Sequence, residues 1–279
     1  MAVSQKIQRR WAHIGMHAFL IPFTLLWLVP IIMMIAISVR PASEAYGGGL
    51  WVSHPTFKNY VDVWTSNNLL VYFKNSLIIT GGSVLLVMLL ASACAYAISI
   101  IRFKGSSTFF LMMLLTMMLP VPAIVVPLVQ IIKNLGLLNN YMGLIGPYVA
   151  LGIPFATVIM KNTFDNFPKG IEEAARIDGC SDWMIFWRIV LPLNKPALAV
   201  IAIWQFMTSW NEFILAMLVM TEVPIKPLIL VPIIYNGIYL AYPGHLFAIL
   251  GVVTIPIIVF YLALQRNFIS GLTAGALKG

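Results

Sequence analysis

Long apolar stretches separated by short polar ones set the pattern of this chain. The apolar runs lie at about 14–38, 72–100, 107–130, 142–160, 196–220 and 246–264. Each is long enough to cross ~30 Å of hydrocarbon as a helix. No water meets exposed N–H and C=O groups inside lipid, so a spanning segment must satisfy its own backbone. The pattern predicts an all-α membrane protein with six transmembrane helices, read as a single transmembrane domain over 1–279.

Prolines punctuate several of these runs: Pro120, Pro122 and Pro127 in the third, Pro154 in the fourth and Pro256 in the sixth. Each removes a backbone donor and tends to kink a helix. The third run, with three prolines close together, is not expected to stay straight. The first run follows a basic N-terminus but is longer than the roughly 7–15 residues of a signal sequence, so it reads as a retained span. Between the first two runs, residues 41–68 contain Gly47, Gly48 and Gly49 and read as a loop with a short interfacial helix near 57–64.

Composition sharpens this picture. The 279 residues are 61% hydrophobic and 9% charged, where soluble domains carry about 25% charged residues. The mean hydropathy is +0.93. The formal charge of +8 could indicate nucleic-acid binding in a soluble protein, but the basic residues flank apolar runs, as topology signals do. Five of the 17 Lys and Arg residues (Arg40, Lys58, Lys74, Lys133 and Lys226) fall on one side of the predicted membrane and the rest on the other. The positive-inside rule then places both termini in the cytoplasm. The two cysteines, Cys94 and Cys180, and the scattered His13, His17, His54 and His245 form no disulfide framework and no metal-ligand pattern.

The most polar stretch is the loop 161–195. Pro168 suits a helix start, and Glu172 and Glu173 lie near the positive end. Glu172 and Arg176 form an i,i+4 pair, and Gly179 is placed for a left-handed cap. Ser181 or Asp182 then caps a second helix. On that helix Trp183, Phe186, Trp187 and Val190 fall on one face at helical spacing. Two short helices at a sharp angle are predicted, with Ala174 and Ala175 offering a flat patch for close approach. By pattern alone, an elbow docked on a partner and a loop lying in the headgroups remain equally open.

The spacing Glu173-Ala174-Ala175, three residues, Gly179, nine residues, Ile189-x-Leu191-Pro192 resembles the EAA loop of ABC importer permeases. The segments LPVPAIVVPL, LGLLNNYMGLIGPYV, IEEAARIDG and WNEF occur in the order seen in carbohydrate-importer permeases, particularly the smaller maltose-type subunit. The tail GLTAGALKG is also similar to that subunit's. The resemblance implies the ABC importer permease fold, with the loop between helices 4 and 5 acting as the cytoplasmic coupling helix. Glu173, Ala174, Ala175, Gly179, Ile189, Leu191 and Pro192 would be its ATPase-coupling residues. It further implies a second permease subunit, an ATPase dimer, an extracytoplasmic solute-binding protein and a carbohydrate substrate, all at a bacterial inner membrane.

The sequence contains no GxxxxGK[ST] phosphate loop. No catalytic activity, bound cofactor or metal is therefore expected of this chain, and ATP and Mg belong on the partner ATPase. The tail beyond Gln265 reads either as a frayed terminus or as a contact with the ATPase pair. In the fifth run, Gln205, Ser209 and Glu212 recur on one helix face beside Trp210 and Asn211. Glu212 is the one acidic residue well inside a predicted span. Intramembrane ionisable groups are costly and point to function, so these five residues are candidates for the translocation pathway. Hydrogen bonding to a neighbouring helix is the competing reading. An importer of a non-sugar solute such as a glycerol phosphate, and a self-contained secondary carrier, are the alternatives; no internal repeat supports the carrier.

Overall fold

The computed structural model describes residues 2–44, 51–66, 68–236 and 242–276, with side chains for all of these except 2–12, 14, 169 and 266–276. The expected Gly47–Gly49 turn and the last three residues of the tail lie outside the described residues. Helices dominate, and there is no β-strand among the described residues.

In chain order the helices are α1 (Ala2–Ser38), α2 (Lys58–Ser66), α3 (Leu69–Tyr96), α4 (Ser106–Thr116), α5 (Val121–Asn134), α6 (Met142–Asp165), α7 (Lys169–Ile177), α8 (Asp182–Ile185), α9 (Leu191–Leu193), α10 (Lys195–Trp210), α11 (Ile214–Val219) and α12 (Pro243–Ala276). Four segments are long and apolar enough to span a membrane by themselves: Gly15–Ser38, Leu69–Ile101, Met142–Asp165 and Pro243–Gln265. Counting each of two bent pairs as one span, α4 with α5 at 101° and Asp182–Leu193 with α10 at 78°, brings the number to six.

The third run breaks as its prolines require. α4 ends at Thr116, and α5 starts after Pro120 with Pro122 in its first turn. The fourth and sixth runs behave otherwise: α6 continues through Pro147 and Pro154, and α12 through Pro256. The fifth run, expected as one helix over 196–220, is two helices interrupted at Asn211–Phe213 without any proline.

The chain divides into two compact units. The first comprises Met1–Asn67 and Pro232–Val252. In it the side chain of Asn59, on α2, donates to the carbonyls of Ser38 and Arg40, both at 2.8 Å. These bonds meet acceptors that the end of α1 leaves without helical donors. Ser38 Oγ lies 2.8 Å from Tyr60 Oη. The interfacial helix expected near 57–64 is α2.

The second unit comprises Asn68–Val231 and Val253–Gly279. Its core is α3 packed against α6 and α10. Small residues at the contact, Ala91 and Ala95 on α3 and Ala156 on α6, are fully buried and let the backbones approach closely. Lipid tails are as apolar as the side chains, so such close packing, rather than exclusion from water, holds helices together in a membrane. Asn75 fastens the loop after α11. Its amide donates to the carbonyls of Pro224 and Lys226 at 3.0 and 2.9 Å, and its oxygen accepts from Tyr141 Oη at 2.7 Å.

Candidate functional site

Two places in the second unit gather the residues singled out by sequence. One is a helical elbow over Lys169–Leu193. α7 ends at Ile177, and Gly179 just beyond it lies in the left-handed region, φ +83°, where glycine meets no Cβ penalty. The amides of Gly179 and Cys180 close back on the carbonyls of Arg176 and Ala175. Ser181 caps the next helix, its hydroxyl accepting from the Met184 amide at 3.3 Å. The segment then widens into a π-helical turn, Phe186–Val190.

That turn alters the expected aromatic face. Phe186 and Val190 are buried, whereas Trp183 is 71% exposed. Tyr96 at the end of α3 receives Phe186 at 5.1 Å, ring to ring, and meets Phe164 of α6 at 6.4 Å. Ala175, Ile185, Phe186, Val190 and Leu191 join one apolar cluster with Tyr96 and Phe164. The flat alanine patch is therefore divided: Ala174 faces outward, but Ala175 is buried against the bundle. Glu173, Gly179 and Pro192 are exposed, Leu191 is buried, and Ile189 lies between.

Arg176 joins the two arms of the elbow. It pairs with Glu172 on its own helix at 3.0 Å and with Asp182 on the next at 2.6 Å. Its guanidinium is held above its ordinary pKa, chiefly by the hydrogen bond to Glu172 and further by the nearby carboxylates. The sequence pattern foresaw the first pair and not the second.

The other place is a cavity of about 610 Å³, within the roughly 300–1,000 Å³ usual for ligand pockets. Its walls are the bend between α4 and α5, the middle of α6 and the last turns of α10. Pro154 removes the helix donor that the carbonyl of Ala150 would otherwise meet, and both residues line this wall. Phe155 and Trp204 face each other with ring centroids 4.1 Å apart.

Gln205, Ser209 and Glu212 all line the cavity. The Gln205 amide donates to Ser209 Oγ at 2.9 Å and to the Tyr148 carbonyl at 3.2 Å. Its Oε1 has no hydrogen-bond partner, which for a buried acceptor costs roughly 1–3 kcal/mol. A Cβ at Gly152 would collide with that oxygen and come 3.0 Å from Val87 Cγ2.

Glu212 accepts from Tyr148 Oη at 2.8 Å and from the amides of Leu215 and Ala216 at 2.8 and 3.0 Å. Its carboxylate thus opens α11, meeting amides that a helix start leaves free. Asn211 closes α10, its side chain donating back to the Met207 carbonyl at 2.8 Å. Together the two residues explain a break without proline. The structure does not bring Trp210 and Asn211 to the cavity wall. Trp210 is 2% exposed, stacks on Phe206 and donates to the Val253 carbonyl at 3.0 Å. Tyr148 and Gly152 were missed as site residues, because nothing in their local sequence separates them from other positions on a buried helix.

In the second unit a broken span beside a cavity and a packed elbow form an arrangement that suits a transport protein. The profile of the family described as binding-protein-dependent transport system inner membrane component matches residues 88–273, and the chain belongs to that family. It is 33% identical to the diacetylchitobiose uptake system permease protein of Streptomyces coelicolor over 97% of this chain and 90% of that one. It is 36% identical to the trehalose/maltose transport system permease protein of Thermococcus litoralis over 90% and 92% of the two chains. The structure matches a chain of a bacterial ABC transporter involved in the import of the acidic polysaccharide alginate. That match has a TM-score of 0.81, 25% identity, and coverage of 93% of this chain and 97% of the other. The protein is a multi-pass component of the inner membrane.

Proposed function

We propose that this chain forms half of the membrane pathway of an ATP-driven importer for a sugar or oligosaccharide delivered by a soluble binding protein. The observation that carries the reading is the cavity between the α4–α5 bend, α6 and α10, which lies within the family-matched part of the chain. It sets the Phe155–Trp204 pair beside a network of Tyr148, Gln205, Ser209 and Glu212. Sugar rings offer apolar faces and many hydroxyls, which suits aromatic and polar groups side by side. The sugar and oligosaccharide systems named for the relatives support the same substrate class.

We assign ATP and Mg to a separate ATPase dimer and the second half of the pathway to another permease subunit. The elbow is the element suited to receive ATPase motion. Its exposed outer side carries Glu173, Ala174, Gly179 and Pro192. Its inner side is locked by Ala175, Phe186 and Val190 onto the ends of α3 and α6. A packed contact of this kind passes rigid-body movement to a bundle with two arrangements. The distribution of Lys and Arg supports a cytoplasmic position for the elbow and both termini.

The test is affinity purification of the tagged chain from native membranes, followed by uptake into proteoliposomes. The expected result is a complex with an ATPase and a second permease whose saccharide uptake needs both ATP and the binding protein. Saccharide flux through this chain alone, without nucleotide, would falsify the proposal.

A further inference from the structure

The charge of the cavity wall bears on which saccharides it admits. The lining includes one acidic side chain, Glu212, and no Lys, Arg or His among the described residues. Three donors, Tyr148 Oη and the amides of Leu215 and Ala216, point at the Glu212 carboxylate. The unpartnered Oε1 of Gln205 is buried against Gly152, so Glu212 is the charged group that this wall presents to the cavity. A wall with one carboxylate and no cation suits a ligand that brings donors, as the hydroxyls of a neutral saccharide do. An anionic ligand would bring a second acidic group beside the Glu212 carboxylate in a low-dielectric space, where screening by water is weak, and the lining offers it no cation.

We propose that Glu212 sets the charge class of the cargo, so that the pathway passes neutral saccharides and rejects those bearing a carboxylate. The filter rests on the import reading above and adds a selection rule to it. The same carboxylate opposes glycerol phosphates. The solved relative belongs to an importer of an acidic polysaccharide, so the shared fold does not itself impose this rule; the residues of the wall do.

The experiment uses the complete importer in proteoliposomes, with its own binding protein. Trehalose, maltotriose, arabinotriose and diacetylchitobiose are screened, and each one taken up is paired with its derivative in which a primary alcohol is oxidised to a carboxylate. Binding-protein occupancy is measured by calorimetry and set equal for the two probes, so that the difference in flux reports the membrane pathway. In the wild type, the acid form is expected to enter at least about tenfold more slowly than the neutral form. Glu212→Gln should narrow that ratio by about tenfold, whereas Glu212→Asp should keep it. Thr208→Lys, which adds a cation to the lining while leaving the α11 cap untouched, should narrow it as well and serves if Glu212→Gln fails to assemble. Equal flux of both probes in the wild type overturns the filter, as does an unchanged ratio in every variant that assembles. If no neutral saccharide enters in an ATP-dependent manner, the import reading itself falls and the filter with it.

Discussion

The elbow at Lys169–Leu193, fastened to α3 and α6, and the cavity wall around Glu212, fastened to α6, are held by different chemistry. The elbow is held by apolar packing: Phe186 on Tyr96, with Val190 and Ala175 buried alongside. The wall is held by hydrogen bonds, from Gln205 and Tyr148 to their neighbours, around one glycine that leaves room for them. A close-packed contact resists deformation and transmits movement. A polar network around a cavity has a vacant acceptor and a broken helix, and so retains alternatives. The contrast suits a lever at one place and a passage at the other.

The comparison can be broken at its strongest contact first. Phe186→Ala empties a buried ring site, and such truncations cost about 3–5 kcal/mol. The expected outcome is an elbow whose amides exchange freely with deuterium while those of α10 remain protected. Equal loss of protection in both places would show that the two regions are one unit energetically.

Gly152→Ala comes next. Its Cβ would collide with Gln205 Oε1, and overpacking of this kind costs roughly 1–3 kcal/mol. Thermal unfolding of the purified complex should shift downward while nucleotide hydrolysis per folded complex stays normal. A Tm equal to that of the wild type would remove Gly152 from the argument.

Gly179→Leu tests the turn without a clash at the added Cβ, which has no atom within 4 Å. Only the left-handed backbone is penalised, by roughly 1–2 kcal/mol. The complex should still insert and assemble, yet hydrolyse ATP with reduced transport per ATP. Wild-type values of uptake and hydrolysis together would dismiss the idea.

Arg176→Gln has the smallest expected effect. Both of its ion pairs are substantially exposed, and exposed pairs are screened by salt. Coupling should weaken slightly at low ionic strength, with the difference vanishing at high salt. A difference that persists at high salt would mean the arginine acts through packing and not charge.

Much of the elbow was legible from the chain itself because its signals are local. Pro168, Gly179 and Ser181 act through their own backbones and nearest neighbours; Gly179 and Ser181 occupy the places expected of them, and Pro168, expected in the first turn of α7, sits just before it at the N-cap. The inward turn of Ala175 and the π-helical widening at Phe186–Val190 were not legible, since both pack on Tyr96 and Phe164, which lie 79 and 11 residues from Ala175 and 90 and 22 from Phe186 in sequence. The cavity shows the opposite balance. Helical spacing placed Gln205, Ser209 and Glu212 on one face, but Tyr148 and Gly152 joined them only through the packing of α6 on α10.

By itself the sequence determined that this protein lives in lipid, where its spans lie and where its elbow bends, because hydropathy and turn chemistry act over short stretches of chain. The tertiary structure alone decided that Pro154 sits in a continuous helix while Asn211 and Glu212 break one, and that Glu212 faces a cavity while Trp210 turns away from it. Those outcomes depend on partners far along the chain, Tyr148 for Glu212 and Val253 for Trp210, and a backbone hydrogen bond is given up only where such a partner replaces it.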